Sequence, residues 1–187
     1  MKRIVLDTNC LLMCIPKNSP YRIVWDAFLN GEFILCLSNE IVEEYLEILS
    51  NKTTVSIAGN VISTILNQHN VELINPHYRF GLIQTDVDDN KFVDCAIVAN
   101  AEYLVSNDSH FRILEQISFP KVNLLHLKSF SRMLKGYSWD EDIMLLNEPA
   151  VAYENRSEAD DCRNNASRND MKAAIDGDEL LNRLVYV

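Results

Sequence analysis

Four acidic residues, far apart in the sequence, are the side chains best suited to chemistry: Asp7, Glu44, Asp94 and Asp108. Asp7 directly follows the apolar run 3–6, and Asp108 follows a second apolar run that begins at Tyr103. The carboxyl ends of parallel strands open onto the ligand crevice of an α/β sheet, so these two acids could meet there. Carboxylate oxygens gathered in a crevice are suited to holding a hard divalent cation.

Such a gathering has an electrostatic cost that a cation would remove. Two like charges about 4 Å apart repel by roughly 4 kcal/mol at an effective dielectric constant near 20. A cluster of three or four carboxylates is therefore unfavourable unless a cation neutralises it or some members take up protons. The competing interpretation is four unrelated surface acids, since 27 of the 187 residues are Asp or Glu.

Polar residues beside these acids are candidates for orienting water or phosphate. Thr8 and Asn9 follow Asp7, and Ser106 precedes Asp108. The alternative for the first group is a turn that ends the strand. A phosphatase of the DxDxT type would need an acid where Asn9 stands, which weakens that interpretation.

Two of the four acids have competitors nearby. Around Glu44, the residues Glu40 and Glu43 lie in the same helix, and Glu40 could simply favour the positive end of the helix dipole. Spacing alone does not choose among the three. Glu44 borders the apolar positions of that helix and Ser38 is a good N-cap for it.

The second ambiguous region is an acid-rich loop and helix start at residues 86–94. Asp94 lies among apolar neighbours, where a carboxylate usually needs a partner, and this favours it as a site residue. Asp86, Asp88 and Asp89 are weaker candidates, because an acid at a helix start can serve as a cap. His110 is interpreted as a surface or capping residue, and the four histidines have no zinc-like spacing.

Alternating strand and helix patterns place these residues in an α/β fold with a parallel sheet. We predict strands at 3–6, 33–37, 71–74, 103–106 and 121–126, and helices at about 20–30, 39–49, 54–69, 89–99, 109–117 and 128–135. No GxGxxG or GxxxxGK[ST] motif occurs, which weighs against dinucleotide and P-loop proteins.

The bulk composition indicates one domain with an acidic appendage. The net charge of −10 is uneven, since 12 of the 27 acids but only 5 of the 17 Lys and Arg lie in residues 140–187. We expect a domain at 1–137 and an acidic, partly helical, regulatory extension at 138–187. Five cysteines without CxxC spacing favour a reducing cytoplasm, and the sequence predicts neither a signal peptide nor a membrane span.

Four strings, taken in order, resemble a PIN domain: Ile-Val-Leu-Asp7-Thr-Asn9; Leu-Ser38-Asn-Glu-Ile-Val-Glu-Glu44-Tyr; Asp89-Asn-Lys-Phe-Val-Asp94-Cys-Ala-Ile-Val-Ala-Asn-Ala; and Tyr-Leu-Val-Ser106-Asn-Asp108-Ser-His-Phe. The resemblance covers about residues 1–135. It is strongest to the bacterial branch described as toxin components of toxin–antitoxin systems.

This resemblance implies a three-layer α/β/α fold and an endoribonuclease that depends on Mg²⁺ or Mn²⁺. Asp7, Glu44, Asp94 and Asp108 match the family's acidic quartet, which would be both catalytic and metal-binding, with Asp89 a weaker candidate ligand. Asn9, with Thr8 or Ser106, matches its polar helpers. The expected partners are single-stranded RNA, an antitoxin protein and a second copy of the chain.

Other functions stay open from the sequence. The chain could be a non-catalytic PIN-like interaction module, or an RNA-processing nuclease outside toxin–antitoxin systems. A phosphoryl-transfer receiver would need a phospho-acceptor Asp on a middle strand and a later Lys, and neither is evident. The C-terminal extension could be an antitoxin-like element, a dimerisation arm or a weakly ordered tail.

Overall fold

The computed structural model of the chain describes residues 1–136. They form a central five-stranded sheet flanked by helices, in the α/β/α arrangement that the sequence predicts. The strands are β1 (Arg3–Leu6), β2 (Ile34–Leu37), β3 (Val71–Leu73), β4 (Tyr103–Val105) and β5 (Leu124–Leu125). The helices are α1 (Thr8–Cys14), α2 (Arg22–Leu29), α3 (Asn39–Lys52), α4 (Val55–Leu66), α5 (Asn90–Val98) and α6 (Leu127–Leu134), with a 3-10 helix at Ser109–Gln116. The predicted extension at 138–187 lies outside the described residues.

All four strand pairings are parallel, and the strand order is β3-β2-β1-β4-β5. The chain therefore builds outward from β1 to β3, returns to the other side of β1 and builds outward again. The order reverses between β1 and β4, where Leu6 pairs with Val105. Ligands of open α/β sheets bind outside the carboxyl ends of strands at such a reversal.

The central strands are apolar runs because both of their faces are covered. Residues 4–6 of β1 and 35–37 of β2 are all buried. Helix α5 packs on β1, β2 and β4, while α2 contacts α1 and α6. Aromatic rings fill part of the core, including an edge-to-face contact between Phe33 and Phe130 with ring centroids 5.3 Å apart.

Helix α1 was not predicted from the sequence. It follows β1 at once, and five of its seven residues are buried. A helix covered on most sides shows no polar face, and therefore no amphipathic period. The segment predicted as a helix at 109–117 is a 3-10 helix, and the strand predicted at 121–126 is only two residues long.

The buried side chain of Asn90 makes three hydrogen bonds to the loop between β3 and α5. The Asn90 Oδ1 accepts a hydrogen bond from the Ile83 N–H at 2.9 Å. The Asn90 Nδ2 donates to the carbonyl oxygens of Ile83 at 2.7 Å and Val87 at 3.0 Å. Since Asn90 itself is buried, this clamp fixes the acid-rich segment that follows Ile83.

Two features of the composition agree with this fold. Cys10, Cys14, Cys36 and Cys95 are free and buried, as expected for small core residues. None of the helices within residues 1–136 combines the length and the apolar character that crossing a bilayer requires.

Candidate metal centre

The site lies where β1 and β4 end side by side. The Asp7 N–H donates to the Val105 carbonyl at 3.0 Å, which continues the sheet pairing by one residue. The Ser106 hydroxyl donates to the Asp7 Oδ2 at 2.9 Å and accepts a hydrogen bond from the Asp108 N–H at 3.0 Å. Ser106 therefore connects the two strand-end acids directly.

The Asp7 carboxylate is buried, and burial makes its negative charge unfavourable. Only 5% of the residue is exposed, and burial raises its pKa from 3.8 to about 6. The Ser106 hydroxyl and the Asn9 amide oppose this rise, whereas the charges of Asp89 and Glu44 add to it.

Glu44 reaches the same crevice from α3. Its Oε1 accepts a hydrogen bond from the Thr8 hydroxyl at 2.5 Å, and its Oε2 lies 2.5 Å from the Lys91 Nζ. The next residue, Tyr45, is buried and donates its hydroxyl hydrogen bond to the Leu6 carbonyl. This contact ties α3 to the end of β1 and so fixes the position of Glu44.

A second group of acids surrounds His110 at the start of the 3-10 helix. The His110 Nδ1 lies 3.5 Å from the Asp89 Oδ2, 3.6 Å from the Asp108 Oδ1 and 4.0 Å from the Asp86 Oδ2. Burial, then the charges of Asp86 and Asp108, raise the pKa of Asp89 to about 6, and His110 opposes the rise. Asp89, Asp86 and His110 offer ligand atoms within 4.8 Å of one another.

The Asp89 Oδ2 is buried and makes no hydrogen bond within the described part of the chain. The contact of 3.5 Å with His110 is too long to satisfy it. A buried carboxylate oxygen without a donor is unfavourable, and a cation would remove that cost. Among the described residues, the ligand atoms that lie close enough to share one ion are those of Asp86, Asp89 and His110. Asp108 lies beside them through His110, and Asp7 is near enough for the charge of Asp89 to act on it. Most of these donors are the hard oxygens that Mg²⁺ and Mn²⁺ prefer. The residues present therefore fit a divalent ion.

Asp94 has different contacts from the other three members of the expected quartet. It is fully buried, and its Oδ1 accepts a hydrogen bond from the Phe80 N–H at 3.0 Å. Its Oδ2 lies 3.6 Å from the Arg79 Nη1, and Arg79 also forms a two-pronged ion pair with Glu40. These contacts hold the loop between β3 and α5 against α3.

The structure thus brings Asp7, Ser106 and Asp108 together, with Glu44 beside them through Thr8. Asp94 makes no hydrogen bond or ion pair with any of these residues in the described structure, and Asn9 is exposed on the first turn of α1. Asp89, the weaker candidate from the sequence, acts on Asp7 through its charge, as Glu44 also does. Sequence position could have distinguished Asp89 from Asp94. Asp89 immediately precedes α5, whereas Asp94 lies more than one helical turn farther along that helix.

An open cleft of about 490 Å³ adjoins this group of acids. It contains Glu44 and Asp94, so these two residues share the cleft although they do not touch. The full lining is Glu40, Glu43, Glu44, Glu47, Arg79, Gly81, Val87, Asp88, Asn90, Lys91 and Asp94. Six carboxylates against two cations make the cleft strongly negative.

The family model described as PIN domain matches residues 3–110, and the chain belongs to the PIN domain family. PIN domains are generally metal-dependent nucleases, in keeping with the carboxylates at the ends of β1 and β4.

Two individual proteins are similar to the chain. One is the uncharacterized protein MJ1680 of Methanocaldococcus jannaschii, 26% identical over 132 residues that cover 67% of this chain and 84% of the relative. The other is a crystal structure of VapBC2 from Rickettsia felis bound to a DNA fragment from their promoter, at 19% identity and a TM-score of 0.48. That match covers 66% of this chain and 98% of the other, and at this similarity it carries no argument about function.

Proposed function

We propose that this PIN domain is an endoribonuclease that requires Mg²⁺ or Mn²⁺ and hydrolyses phosphodiester bonds of single-stranded RNA. The observation that carries the proposal is the buried Asp7, joined through Ser106 to Asp108 and facing the charge of Asp89. A carboxylate as buried as Asp7, with the charges of other acids acting on it, is unfavourable without a cation.

Asp7, Asp89 and Asp108 are the residues that we assign to hold the ion, with Glu44 as a further ligand. Asp89 takes the role that the sequence suggested for Asp94, because the charge of Asp89 acts on Asp7. Both acids have a buried Oδ2 without a hydrogen-bond partner in the described part of the chain, and the Oδ1 of Asp94 is held by the Phe80 N–H. Asp94 as a ligand stays a prediction. When bound, the ion would acidify a water molecule and offset the charge of the attacked phosphodiester.

The protein's own groups orient these ligands. Ser106 fixes one oxygen of Asp7, and Thr8 fixes one oxygen of Glu44. The Ser106 hydroxyl lowers the pKa of Asp7 and so favours the charged form that binds a cation. The predicted role of Thr8 and Ser106 in orienting water or phosphate therefore becomes, in this proposal, orientation of the ligands. Asn9 is exposed beside them and is free to contact water or RNA.

Single-stranded RNA is the proposed substrate class because the family resemblance implies an endoribonuclease, and an acidic crevice admits one strand more easily than a duplex. The six carboxylates that line it repel a phosphate backbone, so RNA would enter only with divalent ions screening its charge. We therefore expect cleavage to rise with Mg²⁺ or Mn²⁺ beyond the concentration that fills the metal centre.

The direct test is cleavage of a labelled single strand with Mn²⁺ by the wild type, Asp7→Asn and Glu32→Gln. Glu32 is an exposed acid just before β2, at the opposite edge of the sheet, and serves as the matched control. We expect Asp7→Asn to lower the rate by roughly 10²-fold or more, the scale of losing a group that stabilises charge in a transition state. Cleavage by Asp7→Asn at the wild-type rate would contradict the proposal. Duplex RNA and single-stranded DNA of the same sequence test the substrate class.

We further propose that the protein acts as the toxin of a toxin–antitoxin system, with an antitoxin partner and a homodimeric state. The support is the resemblance of its four acidic strings to that branch of the family. Induced expression should arrest growth, and Asp7→Asn should abolish the arrest. Growth unaffected by the wild type would instead favour an RNA-processing nuclease.

A further inference from the structure

Lys91 forms an ion pair with Glu44, one of the proposed metal ligands. Its Nζ lies 2.5 Å from the Glu44 Oε2, and the two side chains are 19% and 23% exposed. The other carboxylate oxygen of Glu44 accepts the hydrogen bond from Thr8. Each oxygen of Glu44 therefore has one donor and keeps a second lone pair for a metal ion. A divalent ion bound at Glu44 would nevertheless lie close to the Lys91 ammonium group, and the two cations would repel each other and compete for this carboxylate.

Of the two donors, Lys91 is the one that can move. Thr8 is 2% exposed, β-branched and enclosed at the start of α1, so its hydroxyl has little freedom. Lys91 carries its charge on a flexible four-carbon chain and lines the open cleft of about 490 Å³. Glu43 and Glu47 line the same cleft and can receive the displaced ammonium group electrostatically.

We propose that Lys91 is the resident counter-cation of Glu44, which a divalent ion displaces, and that the displaced ammonium group then contacts a backbone phosphate of RNA in the cleft. The second half rests on the proposed function, and it makes Lys91 a substrate-binding residue whose position depends on the ion. The cleft holds six carboxylates and only two cations, Lys91 and Arg79. Arg79 is bound to Glu40 and Asp94, so Lys91 is the cation whose partner the ion would remove.

The exchange predicts opposite effects of one substitution on two measurements. Lys91→Met should tighten Mn²⁺ binding by at least about five-fold, because that is the upper end of what exposed ion pairs contribute and this pair is mostly buried. It should raise KM for RNA, because the phosphate contact is lost. Mn²⁺ binding is measured on the full chain by electron paramagnetic resonance without RNA, and Lys91→Gln provides a second neutral variant should the first fold poorly.

A double-mutant cycle measures how strongly Lys91 and Glu44 are coupled in Mn²⁺ binding. In a Glu44→Gln background, Lys91→Met should change the Mn²⁺ affinity by less than about two-fold, because the competition no longer exists. Arg112→Met is the matched control, since Arg112 is exposed and follows His110 by two residues, and it removes the same charge without touching Glu44. We expect it to leave the coupling between Lys91 and Glu44 unchanged.

The outcomes separate this inference from the proposed function. Unchanged or weaker Mn²⁺ binding by Lys91→Met, or equal tightening in the Glu44→Gln background, would overturn the exchange. Tighter Mn²⁺ binding with an unchanged KM would also overturn it. If no variant cleaves RNA while the Mn²⁺ cycle shows the coupling, the proposed function fails and the competition at Glu44 stands. If neither the wild type nor any variant binds Mn²⁺, both fail.

Discussion

Asp7→Asn should make the metal-free protein more stable while abolishing its activity. Burial raises the pKa of Asp7 from 3.8 to about 6, a difference worth about 3 kcal/mol at 1.36 kcal/mol per pKa unit. An amide has nearly the same shape as the carboxylate and carries no charge, and its oxygen can still accept the Ser106 hydrogen bond. We therefore expect a gain of about 1–3 kcal/mol in the free energy of unfolding at about pH 8.

The sign of the pH dependence follows from the direction of the pKa change. A carboxyl group whose pKa is higher in the folded state favours folding when protonated, so the wild type loses stability as the pH rises from about 4 through 6. The variant does not titrate at this position. The stability difference should therefore be complete above about pH 6 and fall below about 1 kcal/mol near pH 4.

Urea unfolding followed by circular dichroism, with a chelator present, measures this difference at each pH. Because Asp89 and Glu44 act on Asp7 and titrate too, the gap between the two proteins is the informative quantity. Adding Mn²⁺ should stabilise the wild type and leave the variant nearly unchanged. The reasoning would be refuted by a variant no more stable than the wild type at about pH 8, or by a gap that is the same near pH 4. Glu32→Gln should show neither effect.

Three further predictions concern the site and its support. Asp89→Asn should lower RNA cleavage by roughly 10²-fold, whereas Asp94→Asn should lower it less than about ten-fold, and the reverse order would restore Asp94 as a ligand. Asn90→Ala removes three hydrogen bonds to the loop and should cost about 2–3 kcal/mol of stability in thermal or urea unfolding, and a change below about 0.5 kcal/mol would show that the clamp is not needed. Removing residues 140–187 should raise nuclease activity if that segment shields the cleft, and unchanged activity together with an unchanged oligomeric state would count against a regulatory role.

Most of the fold was predictable because its determinants are local. The central strands are short apolar runs, and Ser38 caps α3 as expected, its hydroxyl accepting the Ile41 N–H at 3.3 Å. Helix α1 was not predictable by the same means, since burial on most sides removes the polar face that makes a helix visible in a sequence.

The site residues were likewise only partly predictable from local sequence. Asp7 and Asp108 could be found because a residue that follows a parallel strand must lie at the carboxyl edge of the sheet. Choosing between Asp89 and Asp94 depends on the conformation of a loop, which is set by the Asn90 clamp and by Arg79 bridging to Glu40. Arg79 and Glu40 are 39 residues apart in the sequence, and the Asn90 clamp depends on side-chain contacts with main-chain atoms of the loop. A pattern of residue types reveals neither.

The reactivity of the buried thiols can report local opening of the fold. Burial raises the pKa of Cys14 to about 12 and that of Cys36 to about 11, so neither thiol is ionised at neutral pH. Alkylating agents react with thiolates, and these groups become reactive only when the surrounding helices and strands separate. The labelling rate of Cys14 at the end of α1, compared with that of Cys36 in β2, would show whether the helix that follows Asp7 separates before the middle of the sheet opens.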